Sequence, residues 1–129
     1  MTVLVGYVPT PEGEAAFAAA LAEAARRGEA LLLLNSPRGG APVSSDVAPD
    51  GAVREMTEQA RAAGVELDVR QAPHSGDVAD EVLRVAQETD ASVIVIGLRK
   101  RSPVGKLLMG SSAQRILLDA DRPVLAVKP

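Results

Sequence analysis

Five short apolar runs divide the sequence, and segments of helical periodicity fill the gaps between them. The runs are Val3-Leu4-Val5, residues 31–34, Val65-Glu66-Leu67-Asp68-Val69, residues 93–96, and Val124-Leu125-Ala126-Val127. Four are apolar without a break, the pattern of strands buried on both faces of a parallel sheet. The third alternates apolar and acidic residues, so one of its faces is expected to meet water and the strand to lie at an edge. Strands separated by helices pair in parallel through right-handed crossovers, with helices on both faces of the sheet.

The helical segments carry their own start and stop signals. Thr10 followed by Pro11 is an N-cap and first-turn pair, and Gly28 stands where a helix ends in the left-handed region. Between them, Phe17 and Leu21 mark one face of a helix over residues 11–27, with Ala filling the rest. A second helix is expected over residues 50–63, with Val53, Met56, Thr57 and Ala60 inward and Gly64 closing it. A third, over residues 76–88, carries the stripe Val78, Val82, Val85 and Ala86. A fourth begins near Ser111, with Ile116 and Leu117 on its buried face and Pro123 barring continuation. The expected fold is α/β: one domain over residues 1–129, a doubly wound, Rossmann-like open sheet of five parallel strands with helices on both faces. A length of 129 residues suits one domain. Residues 36–49, rich in Gly, Pro and Ser, are expected to form a surface loop.

Composition removes several functions. The chain has no Cys, which rules out disulfides, thiolate nucleophiles and Cys-ligated metals. One Tyr, one Phe, no Trp and a net charge of -3 provide neither the stacking platforms nor the basic groove of a single-strand nucleic-acid binder. No apolar run approaches the roughly 18 residues of a membrane span, and the first apolar stretch lacks a basic flank and runs into Pro9 and Pro11. The expectation is a cytoplasmic protein with no membrane or nucleic-acid partner.

Chemistry concentrates after Ile96, where a buried strand leads to a helix through residues 97–112. This segment holds four cations (Arg99, Lys100, Arg101, Lys106), three glycines (Gly97, Gly105, Gly110) and three hydroxyls (Ser102, Ser111, Ser112). Backbone N–H groups at a helix start favour anions. Gly110 lets a ligand approach the main chain, Ser111 and Ser112 add hydroxyls, and the cations raise the local potential for a phosphate. The same residues fit a plainer reading, with Ser111 capping a helix and the cations solvated on a loop. The residues alone leave both open. Ligands in open α/β sheets bind outside the carboxyl ends of the strands, which here are residues 7–10, Asn35-Ser36 and the segment after Ile96.

The chain resembles the universal stress protein family. Its members end with a strand, the pattern Gly-x2-Gly-x9-Gly-Ser/Thr, a helix and a last strand led by Pro-Val. Gly97, Gly110 and Ser111 occupy the first, third and fourth fixed positions, and Asp121-Arg122-Pro123-Val124-Leu125-Ala126-Val127 matches the closing strand. The likeness extends to the opening strand, to the Gly76 segment and to the overall length. It implies a small stress-response or regulatory protein that binds an adenine nucleotide, ATP or AMP, with or without Mg²⁺. In nucleotide-binding members the ends of the first two strands hold the adenine and the glycine loop wraps ribose and phosphates. The resemblance therefore implies a site of Tyr7, Val8, Thr10 and Ser36 on one side and Gly97, Arg99, Lys100, Gly105, Gly110, Ser111 and Ser112 on the other. Two positions depart from the pattern. Lys100 replaces the second glycine, bringing an ammonium where the backbone would approach, and Val8 replaces the usual Asp, while Thr10 keeps the hydroxyl two positions on.

The resemblance also implies a homodimer, because the last strand of these proteins commonly pairs antiparallel with its own copy. Val124, Leu125, Ala126 and Val127 would form that interface, and an apolar edge strand needs covering. Nothing in the sequence points to catalysis or to a metal site. His74 has no nucleophile or ligand partner in any recognisable spacing, and Asp46, Asp50, Asp77, Asp80 and Glu81 lie on loops and helix starts, where acidic residues complement the helix dipole. Gly39-Gly40 lacks the strand-to-helix setting of a dinucleotide fingerprint, and Gly105-Lys106 is followed by Leu107 rather than Ser or Thr. The expectation is thus a non-enzyme. The alternatives are a dimeric interaction module without nucleotide and a slow ATP hydrolase.

Overall fold

A computed structural model describes residues 1–35, 50–71, 77–98 and 111–129. Strands and helices alternate throughout: β1 (Thr2–Gly6), α1 (Pro11–Arg27), β2 (Ala30–Asn35), α2 (Asp50–Ala62), β3 (Leu67–Gln71), α3 (Val78–Glu88), β4 (Ala91–Gly97), α4 (Ser111–Asp119) and β5 (Val124–Val127). All neighbouring strands are parallel, in the order β3-β2-β1-β4-β5. The expected α/β fold is the one observed.

Alternate residues of the central strands explain why the runs are unbroken. Val3 and Val5, Leu31 and Leu33, and Val93 and Val95 face a core shared with Ala16, Phe17, Ala20 and Ala24 of α1 and with Met56 and Ala60 of α2. Leu4, Leu32, Leu34, Ile94 and Ile96 face the other way, against Ala79, Val82, Val85 and Ala86 of α3 and Ile116 of α4. Each strand residue therefore meets a helix on one side or the other, and a polar residue there would lose its hydration without compensation.

The helix ends follow the sequence signals closely. Thr10 accepts the Gly13 amide at 3.1 Å. Gly28 ends α1 at φ 66°, and the Glu29 amide returns to the Ala24 carbonyl at 3.0 Å. The same six-residue closure ends α2, where Gly64 takes φ 73° and the Val65 amide reaches Ala60. This closure corrects the reading of the third run: Val65 is a buried plug behind α2, and β3 starts two residues later, at Leu67. The edge position expected for β3 holds, with Asp68 exposed on one face.

Three further expectations are corrected. The last run is not buried on both faces: among the described residues β5 pairs with β4 alone, and Leu125 is 38% exposed. Leu117 does not share the buried face of Ile116; one residue further round α4, it stands at the exposed margin. The third helix begins at Val78 with Asp77 as its cap, rather than at residue 76. Among the described residues no helix is long and apolar enough to cross a membrane.

Candidate functional site

The strand order reverses between β1 and β4, which opens a crevice outside their carboxyl ends. Three side-chain and backbone groups frame the β1 side. The ladder runs one step past β1, with the Tyr7 amide donating to Leu34 O at 3.0 Å. Asn35, the buried last residue of β2, donates from Nδ2 to Tyr7 O at 2.9 Å. Gln71, its register partner on β3, donates from Nε2 to Asn35 Oδ1 at 3.4 Å. A row of amides thus ties the carboxyl ends of β3, β2 and β1, and gives the Tyr7 carbonyl a donor beyond the ladder, where an unpaired buried acceptor would be costly.

Tyr7 turns its ring into the core beside Phe17, and its hydroxyl donates to Glu14 Oε1 at 2.5 Å. Burial, then the bond to Glu14 and that residue's negative charge, raise the phenol pKa well above its ordinary value. The part of Tyr7 at the crevice is therefore backbone. Val8 is half-buried, and its carbonyl accepts the Thr10 amide at 2.8 Å. Gly13 of α1 lies directly over that carbonyl: a Cβ there would fall 2.9 Å from Val8 C and closer still to its oxygen. Thr10 Oγ1 serves as the α1 cap acceptor.

On the β4 side, Gly97 meets the first turn of α1. A Cβ on Gly97 would lie 2.7 Å from Glu12 C. The absence of a side chain at Gly97 is accordingly used by α1 packing onto the strand end. Leu98 continues the strand inward, donating to Val127 O at 2.8 Å.

Helix α4 starts at Ser111. Ser112 donates from Oγ to Asp77 Oδ1 at 2.9 Å, and Asp77 in turn accepts the Ala79 amide at 3.0 Å as the cap of α3. Arg115 reaches Asp77 Oδ2 at 3.3 Å, Asp80 Oδ1 at 2.5 Å and Asp119 Oδ2 at 3.5 Å. The Ala79 amide foremost, then Ser112 and Arg115, hold the Asp77 carboxyl below the usual Asp range. Ser36, Arg99, Lys100, Gly105 and Gly110 lie outside the described residues. Of the expected site, the structure brings Tyr7, Val8, Thr10 and Gly97 to the crevice, and turns the Ser112 hydroxyl towards Asp77. Asn35, Gln71, Asp77 and Arg115 were not among the expected site residues. A polar residue closing a Leu run marks Asn35 in the sequence, whereas nothing local links Asp77 to Ser112 across 35 positions. Among the described residues no cluster of His, Cys, Asp or Glu could hold a metal ion.

The universal stress protein family matches this chain over residues 1–128. The chain belongs to that family. A universal stress protein of Mycolicibacterium smegmatis is 43% identical over 127 residues, covering 98% of this chain and 97% of its own. A solved universal stress protein from Archaeoglobus fulgidus superposes with a TM-score of 0.83 at 31% identity, covering 99% and 98% of the two chains. A universal stress protein structure from Archaeoglobus fulgidus in complex with dAMP superposes at 0.72, with 27% identity and the same coverage. The resemblance read from Gly97, Gly110, Ser111 and the closing strand is thus family membership.

Proposed function

We propose that this universal stress protein binds an adenine nucleotide in the crevice between β1 and β4. The base would lie at the ends of β1 and β2, beside Tyr7, Val8, Thr10 and Ser36. The phosphates would lie along Gly97, Arg99, Lys100, Gly105, Gly110 and Ser111, with Ser112 adjacent. The observation that carries the reading is the dAMP complex of a relative alike over nearly the whole chain, together with the three retained motif positions. An ATP or AMP ligand suits a cytoplasmic regulator, and Mg²⁺ would arrive on the phosphates. Gly110→Val tests the site: a folded variant that binds ATP as the parent does overturns the assignment.

The protein acts in this reading as a homodimer that reports nucleotide occupancy and performs no catalysis. The support for the dimer is the one-sided pairing of β5 among the described residues and the exposure of Leu125. A second reading, a dimeric interaction module without nucleotide, is favoured by Val8 and Lys100 at motif positions and by the hold of Asp77 on Ser112. A stable dimer with no response to any adenine nucleotide would select it. Slow ATP hydrolysis is the remaining alternative, and phosphate release lost in Lys100→Ala would establish it.

A further inference from the structure

The start of α4 already faces an internal anion. The Asp77 carboxylate accepts a hydrogen bond from the hydroxyl of Ser112, the second residue of α4, at 2.9 Å and pairs with Arg115 at 3.3 Å. Asp80 and Asp119 take the remaining sides of that guanidinium at 2.5 and 3.5 Å. Ser112, one of the side chains expected to greet a phosphate, is therefore bound to a carboxylate of this chain, as is Arg115, the cation one turn further along α4. Among the described residues this cluster sets one cation, Arg115, against three carboxylates.

We propose that Asp77 is a specificity-determining residue, a fixed negative charge at the first turn of α4 that selects nucleotides by charge. This inference rests on the nucleotide reading above. A free triphosphate brings more negative charge towards Asp77 than a monophosphate does, so Asp77 disfavours free ATP most, AMP less, and ATP neutralised by Mg²⁺ in between. The position suits such a role because Asp77 is held from three directions, by the Ala79 amide, Ser112 and Arg115, and cannot swing away without uncapping α3. Its depressed pKa keeps it ionised throughout the neutral range.

Asp77→Asn is the decisive variant. Asn caps helices about as well as Asp and its amide oxygen can still accept from Ala79 and Ser112, so the fold is retained while the charge is removed. Calorimetric titrations with AMP, free ATP and Mg·ATP at low and raised salt then read the effect. The expected result is an affinity gain of about tenfold for free ATP and about threefold for AMP, shrinking as salt screens the charge. Binding by Asp77→Asn where the parent shows none supports the proposal equally. An unchanged ratio of ATP to AMP affinity overturns it and leaves the nucleotide reading standing, as does weaker ATP binding by the variant. Asp80→Asn removes a neighbouring charge that does not touch Ser112, and a change in ratio as large as that of Asp77→Asn would overturn a particular role for Asp77. Absence of binding by parent and variant alike overturns the nucleotide reading and this inference together.

Discussion

Gly97 and Glu12 meet backbone to backbone, with no room between the end of β4 and the first turn of α1 for a methyl group. Gly13 and Val8 repeat the relationship on the β1 side. Two glycines thus seat the start of α1 directly on the switch point of the sheet.

Gly97→Ala should therefore destabilise the protein by about 1–3 kcal/mol, as overpacking in a tight interior does. Gly13→Ala should cost a similar amount. Chemical denaturation of each variant checks this, and an Ala variant as stable as the parent would mean that α1 can lift without loss. A binding defect in Gly97→Ala would then reflect α1 displacement, not a lost ligand contact.

Asn35 gives a second test. Its Nδ2 supplies the donor for Tyr7 O in a fully buried setting. Asn35→Leu keeps the size but removes that donor from a buried carbonyl, and should cost about 1–3 kcal/mol. Amide exchange at residues 7–10 should quicken in the variant, because the turn into α1 loses its tether. Unchanged stability and exchange would show that the tether is dispensable.

Much of this fold was legible in the sequence because its signals are local. Thr10-Pro11, Gly28 and Gly64 each mark a helix end through chemistry confined to a few residues, and the structure uses all three. The unbroken runs 31–34 and 93–96 placed two central strands for the same reason. Reading failed for two different reasons. Val65 looks like strand although the local closure of α2 claims it, its amide returning to Ala60 behind Gly64, and Val124-Leu125-Ala126-Val127 reads as buried because an apolar run does not record how many neighbours its strand has. The site was legible at Gly97 as a position and not as a role: spacing identifies the glycine, while its contact with Glu12 comes from a helix 85 positions earlier by number. The bond from Ser112 to Asp77 is of the same kind.

Tyr7 is the single tyrosine of the chain, so its ionisation can be followed by phenolate absorbance without interference. Burial and Glu14 raise its pKa above the ordinary 10.0. Between that value and the raised one, the unfolded chain has released a proton that the folded chain retains, so folding stability falls as pH rises through this window. It is fully present below pH 10.0. The expected observation is a phenol that stays protonated above pH 10 in the folded protein and titrates normally in denaturant. Tyr7→Phe should remove the alkaline loss of stability, and an ordinary titration in the folded protein would place the ring in water.

Leu125 tests the dimer. It is exposed on an edge strand whose outer side has no partner among the described residues. Leu125→Lys puts a charge on that strand, a device that blocks edge pairing. Light scattering should show a dimer for the parent and a monomer for the variant, with the helical and strand content unchanged. A parent that is monomeric at high concentration would contradict the dimer.

Thermal-shift titration with ATP, AMP and GTP, each with and without Mg²⁺, tests the central claim most directly. A ligand bound only by the native state stabilises it by about 2.7 kcal/mol at a hundred times its dissociation constant, so a micromolar site would be evident at millimolar nucleotide. The account predicts a saturable rise in the melting midpoint with adenine nucleotides and little or none with GTP. No rise with any adenine nucleotide, from a protein that is folded and dimeric, would contradict it and point to an interaction module.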